Sequence, residues 1–228
     1  MKKAIVLLSG GLDSSTALYM AKRQGFDIFC LVFDYGQQHK RELGAAKRIA
    51  RIARCRFTVL KIALPWKGSS LLDKQLKIPL FNGGIKPAVK PAFNEIPSTY
   101  VPARNTIFLS FAISYAEAIG AADIFIGANA LDYSGYPDCR PAYFKAFNRL
   151  AILATKRGTE RKGIRIQTPL VRLKKSEIIR LGLKLGVPYE LTWSCYMGDK
   201  KPCGRCDSCV FRAKGFKEAG SKDPLIKS

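Results

Sequence analysis

Two short strings in this 228-residue sequence carry chemistry in their spacing. The first is Ser9-Gly10-Gly11-Leu12-Asp13-Ser14. Adjacent glycines let a backbone approach an anion with no Cβ in the way, and a helix starting just after them offers free N–H groups and the positive end of its dipole. Ser9 and Ser14 add hydroxyl groups. Asp13 would repel a phosphate unless a Mg²⁺ ion lies between them. The string therefore reads as a phosphate site. It is neither a Walker A loop, since no Gly-Lys-Ser/Thr follows, nor a Gly-x-Gly-x-x-Gly dinucleotide turn. The plain alternative is a tight turn with a helix cap. The second string is Cys195, Cys203, Cys206 and Cys209, four thiols within 15 residues. Two interlocked C-x-x-C steps put three sulfurs on one loop, with Cys195 as the fourth. Four thiolates suit a closed tetrahedral zinc site. A [4Fe–4S] cluster also uses closely spaced cysteines, and its absorbance would distinguish it from colourless zinc.

The elements that must position these strings follow from the apolar pattern. Residues 4–9 (AIVLLS), 27–33 (DIFCLVF) and 57–62 form strands, with helices predicted over 14–24 and 39–54 between them. This alternation predicts an α/β fold, a doubly wound parallel sheet of the Rossmann-like kind, with the glycine turn at its first strand–helix junction. Further on, helices are expected over 105–119, 141–156, 174–185 and 207–219, and strands over 123–127 and 164–167. Gly25, Gly120, Gly186 and Gly220 stand where helices should stop. The division expected is 1–190 for the α/β domain and 191–228 for a small cysteine-bearing segment. Residues 63–103, rich in proline and glycine, form a long loop of a kind that is usually functional or mobile.

Composition narrows the classes. Hydrophobic residues make up 47% and charged residues 25%, which disfavours disorder, collagen or coiled coil. No apolar run is long enough to span a bilayer, so no membrane contact is expected. Clustered cysteines with three isolated ones (Cys30, Cys55, Cys139) point to the cytoplasm rather than to a secreted disulfide framework. The net charge of +22 is uneven: residues 1–139 carry 18 basic and 10 acidic side chains, residues 140–228 carry 21 and 7. Such a field suits a polyanion, whether nucleic acid or phosphate-rich ligands.

The glycine string resembles the PP-loop of the ATP pyrophosphatase superfamily. Three further strings narrow that resemblance: Thr99-Tyr100-Val101-Pro102-Ala103-Arg104-Asn105-Thr106, the stretch 132–141 (DYSGYPDCRP), and Leu191-Thr192-Trp193-Ser194-Cys195-Tyr196. With the four cysteines they make the chain similar, from Ala4 to Pro224, to the QueC family of 7-cyano-7-deazaguanine synthases.

The resemblance implies an ATP-dependent ligase forming carbon–nitrogen bonds. It would adenylate the carboxylate of 7-carboxy-7-deazaguanine, let ammonia attack to give an amide, and then activate and dehydrate the amide to a nitrile. It implies ATP with Mg²⁺ as substrate, one structural Zn²⁺ per chain on the four cysteines, and a homodimer. The product feeds tRNA queuosine or archaeosine, so direct contact with tRNA is not expected. By match to the motif, Leu8, Ser9, Gly10, Gly11, Leu12, Asp13, Ser14, Ser15, Thr16, Ala17 and Leu18 bind ATP. Asp13, Arg104 and Lys175 are the candidate catalytic residues, and Asp132, Tyr136, Asp138 and Arg140 are candidates for the deazaguanine: Asp for its N–H edge, Tyr for stacking, Arg for its carboxylate. Asp34 and Gln37 follow the second strand, where adenosine should lie. His39, the only histidine, is read as a packing residue. Two positions depart from the family pattern: Ala142 where an acidic residue is expected, and Gln167 where histidine is. The rival functions are a PP-loop enzyme that modifies tRNA directly, for example by thiolation, and a zinc-containing nucleic-acid-binding regulator.

Overall fold

Alternating side chains on the first strand set up two layers. In β1 (Lys3–Leu7), Ala4 and Val6 face one side with Leu8, while Ile5 and Leu7 face the other, the period-two alternation of a strand. The computed structural model describes residues 1–81, 96–131 and 135–226. Within them β1 pairs in parallel with β2 (Asp27–Asp34) and β4 (Asp123–Ile126), and β3 (Arg56–Lys61) and β5 (Arg165–Gln167) extend the two sides, giving the order β3-β2-β1-β4-β5. This is the doubly wound parallel sheet expected from the sequence.

One face is covered by α3 (Arg104–Ile119) and α4 (Pro141–Leu153), which bury Leu109, Ala112, Phe144 and Phe147 against Ile5, Leu31 and Ile124. The other face takes α1 (Leu12–Arg23) and α2 (Arg41–Ile52). Trp193, Cys195, Cys206 and Cys209 join that second apolar cluster. Outside α1 lie α6 (Lys175–Lys184) and α7 (Asp207–Ala219), packed through Leu12, Ala17, Ile178, Ile179 and Phe216. The chain runs outward from β1 to β3, then crosses to β4 and β5. The junction of β1 and β4 is thus where the winding reverses, and in such sheets ligands bind beyond the strands' carboxyl ends at that point.

Gly25, Gly120, Gly186 and Gly220 all adopt positive φ just past their helices, as the sequence predicted. One helix is shorter than expected. The segment predicted as a helix over 141–156 ends at Leu153, and a separate turn, α5 (Lys156–Thr159), begins where the Thr155 hydroxyl accepts the Gly158 N–H at 3.0 Å. The capping hydroxyl restarts the chain in a new direction. Within the long loop, Ser70 N–H donates to the Ser98 carbonyl at 2.8 Å and Gln38 N–H to the Leu71 carbonyl at 3.0 Å. Leu80 bridges to Cys206, tying the loop to the cysteine segment. Asp132 lies outside the described residues. Among the described residues no helix is long and apolar enough to cross a membrane.

Candidate active site

The glycine turn is built so that its backbone cannot be displaced. Gly10 has φ of +86°, and a Cβ there would collide with the Glu42 carbonyl oxygen and the Ala46 N–H on α2. A Cβ on Gly127, just past β4, would collide with the backbone of Asp13 and Ser14. The first turn of α1 is therefore wedged between two glycines at the β1/β4 junction. Ser9 and Ser14 share a hydroxyl–hydroxyl hydrogen bond of 2.9 Å, and the Gly11 N–H donates to Ser9 Oγ at 3.3 Å. The Ser15 hydroxyl closes on the Gly11 carbonyl at 2.7 Å. From the far side, Trp193 N–H donates to the Gly10 carbonyl at 2.9 Å, so the segment leading into the cysteines braces the turn.

Lys175, on the first turn of α6, reaches across and contacts both carboxylate oxygens of Asp13, at 2.9 and 2.8 Å. The two candidates lie 162 residues apart in sequence. Together they set a cation and a carboxylate over the N-terminal end of α1.

Opposite this turn, the same cleft is walled by Leu31, Phe33, Tyr35, Phe108 and Tyr136. Phe33 and Phe108 stack with ring centroids 3.9 Å apart, and Tyr35 meets Phe108 edge-on at 5.4 Å. Arg104 stands beside them, its Nη1 donating to the Tyr35 hydroxyl at 3.1 Å. Burial works against the Arg104 charge, but Tyr35, Tyr136 and Asp138 outweigh it and raise its pKa. Tyr136 exchanges a 2.7 Å hydrogen bond with Thr99.

Leu8, Ser9, Gly11, Leu12, Asp13 and Ser14 line the cleft, as do Arg104, Asn105, Tyr136 and Lys175. Gly10 lies beneath the turn, and Ser15, Thr16, Ala17 and Leu18 are buried inside α1. Asp138 is buried, and its Oδ2 accepts the Asn105 N–H at 3.0 Å; it secures the start of α3 rather than facing the cleft. Arg140 is exposed at the N-cap of α4, away from the cleft lining. Asp34 pairs with Lys40 at 3.0 Å, while Gln37 is buried and accepts the Tyr35 N–H at 2.9 Å. His39 packs against Gly198, and desolvation lowers its pKa. Gln167 binds Asp123 at 2.7 Å on the sheet, and Ala142 is exposed.

Sequence reasoning missed Glu42, Gly127 and the aromatic group of Phe33, Tyr35 and Phe108. Gly127 carried a signal, a glycine ending a buried strand. The others are brought in by three separate elements and carried none.

The Sγ atoms of Cys195, Cys203, Cys206 and Cys209 all lie within 4.8 Å of one another. Thiolates about 2.3 Å from a tetrahedral zinc ion would be about 3.8 Å apart, and Cys203 and Cys209 are separated by 4.0 Å. Hydrogen bonds from Cys206 and Cys209, then from the backbone N–H groups of Cys203 and Met197, draw the Cys195 thiol well below its ordinary value. The donor set and spacing fit a tetrahedral metal ion.

A family model described as "Queuosine biosynthesis protein QueC" matches residues 3–220. Relatives named 7-cyano-7-deazaguanine synthase include those of Thermoplasma acidophilum, 54% identical over 98% of this chain and 91% of that protein, and Coxiella burnetii, 52% identical over 98% and 97%. Among solved structures, the fold is similar to NMN synthetase from Francisella tularensis, with a TM-score of 0.51 and 16% identity, covering all of this chain and 79% of that one. A 4-thiouridine synthetase solved with RNA and ATP has a TM-score of 0.52 and 20% identity, covering 96% of this chain and 50% of that one.

Proposed function

This chain belongs to the QueC family, and from that premise we propose that it converts 7-carboxy-7-deazaguanine and ammonia to 7-cyano-7-deazaguanine with two rounds of ATP-dependent adenylation. The observation that carries this reading is one cleft with two unlike walls. An anion-binding turn closes one side, and an aromatic surface with Arg104 closes the other. The first wall suits the pyrophosphate end of ATP. The second suits a flat heteroaromatic acid.

A carboxylate is a poor electrophile, and joining it to AMP supplies a good leaving group. Backbone N–H groups of the Gly10–Ser14 turn would hold the departing pyrophosphate, with Lys175 as its cation. Asp13 would hold the Mg²⁺ that travels with ATP. That ion would neutralise phosphate charge, and Lys175 would turn from Asp13 toward phosphate. Arg104 would orient the substrate carboxylate, and Phe108 and Tyr136 would sandwich the base. Positioning two anions in line is the main catalytic contribution. Asp132 joins Tyr136 in the candidate substrate set, with Asp138 and Arg140 supporting it from outside the cleft lining. Of these, Asp138 would act through Asn105 and the start of α3.

Cys195, Cys203, Cys206 and Cys209 would hold one structural Zn²⁺, which cross-links the tail and so steadies Trp193 against the turn. A homodimeric, cytoplasmic enzyme belongs to the same reading. It is tested by incubating the protein with ATP-Mg²⁺, ammonia and 7-carboxy-7-deazaguanine. Nitrile, AMP and pyrophosphate are the expected products by mass spectrometry. Recovery of unchanged acid and ATP would contradict it.

A further inference from the structure

Two carboxylates line the cleft among the described residues, Asp13 and Glu42. Asp13 is engaged by Lys175. Glu42 sits on the first turn of α2, half-buried, and among the described residues its carboxylate accepts no hydrogen bond and forms no ion pair within contact distance. Its position is fixed, because the carbonyl of the same residue is packed against Gly10 of the anion-binding turn. The charged and titratable groups that face it are Arg104 on α3, Tyr35 at the end of β2, and Cys195 behind the turn. Burial pushes the Glu42 carboxyl up to about 7. Arg104 opposes that rise.

In the proposed reaction the acyl carbon must sit between the phosphate turn and Arg104, since it is bonded on one side to AMP and was presented by the guanidinium on the other. Glu42 borders both. The nucleophile must arrive at the same carbon, and at neutral pH ammonia is mostly ammonium, which has no lone pair to attack with. An unpaired carboxylate at that place can bind the cation and remove its proton.

We infer that Glu42 is the ammonium-binding residue of this site and the acceptor of the protons that the nitrogen sheds on its way to nitrile. This rests on the proposed function and extends it. Ammonium gives one proton to Glu42, and the freed lone pair forms the C–N bond. The C–O bond to AMP then breaks, and the nitrogen loses a second proton to leave the amide. In the second round the amide oxygen attacks the α-phosphorus of ATP, pyrophosphate leaves, and a third proton departs from nitrogen. The last N–H proton passes to the carboxylate as the C–O bond breaks, so AMP leaves with the oxygen and C≡N remains. Glu42 returns each proton to solvent, and no oxidant or reductant is needed.

The test compares Glu42→Gln with the unsubstituted full-length chain in two assays. One is acid-dependent ATP–pyrophosphate exchange without ammonia; the other is amide formation over a range of ammonium concentration and pH. Exchange should stay within about threefold, because adenylation does not use the nitrogen. Amide formation at pH 7 should fall by about 100-fold with a higher KM for ammonium. The deficit should narrow toward roughly pH 9, where free ammonia no longer needs the base. Glu42→Asp should restore part of the rate at pH 7. Equal loss of exchange and amide formation would overturn the inference, placing Glu42 on the acid or nucleotide instead, and so would unimpaired amide formation. If the unsubstituted protein itself shows no acid-dependent exchange, the proposed function fails and this inference with it.

Discussion

The two walls of the cleft are held in place by different means. The turn wall is fixed by main chain: Gly10 and Gly127 leave no room for a Cβ, and hydroxyls of Ser9, Ser14 and Ser15 close on the turn's own backbone. The aromatic wall is fixed by side chains, through the Phe33–Phe108 stack, the Arg104–Tyr35 hydrogen bond and the Tyr136–Thr99 hydrogen bond. A backbone-built surface admits almost no change of shape, and suits phosphate, which is the same in every nucleotide. A surface built of side chains can be re-cut residue by residue, and suits the part of the substrate that defines this enzyme.

That contrast predicts unequal responses to substitution. Gly127→Ala forces a methyl group into the backbone of Asp13 and Ser14. Displacement of the turn should cost at least ~100-fold in ATP–pyrophosphate exchange, with a lowered melting temperature measured in parallel. Normal exchange in that variant would mean that the turn is not backbone-locked. Lys175→Ala removes one charged donor and leaves the turn standing. Loss of such a contact is worth about 2 kcal/mol, or ~30-fold, and should appear in steady-state kinetics as a higher KM for ATP. It also frees Asp13, so a change confined to the deazaguanine KM would place Lys175 on the wrong wall. The smallest effect is expected on the aromatic side. Phe108→Leu keeps apolar volume but ends the stack, a loss of about 1 kcal/mol. It should raise the KM for the deazaguanine acid ~5-fold and leave that for ATP unchanged.

The same difference explains what could be read from sequence. The turn is six consecutive residues between a buried strand and a helix, so its place in the sheet was legible. The four cysteines were legible for the same reason, and so were the helix ends at Gly25, Gly120, Gly186 and Gly220. The aromatic wall joins Phe33 from β2 to Phe108 from α3, 75 positions apart in sequence, and nothing local marks either ring as facing a ligand. Glu42 reads in sequence as an ordinary acidic residue in the first turn of a helix. Only the packing of that turn on Gly10 turns it toward the cleft. Asp138 misled in the opposite sense: its carboxylate looked ready for a base edge, yet the unsatisfied N–H at the start of α3 claims it. The net charge of +22 is likewise weakly informative, since among the described residues Arg104, Lys175 and Arg212 are the lysines and arginines that line the cleft, and Arg212 is paired with Asp223 at 2.7 Å.

The most direct measurement is isotope exchange between pyrophosphate and ATP with no ammonia present, run with 7-carboxy-7-deazaguanine and then with its amide. If the two walls hold ATP and the base over one reacting carbon, each compound should support exchange by its own adenylation, and neither ATP alone nor guanine should. ATP binding without exchange from either compound would contradict the assignment of this cleft to adenylation.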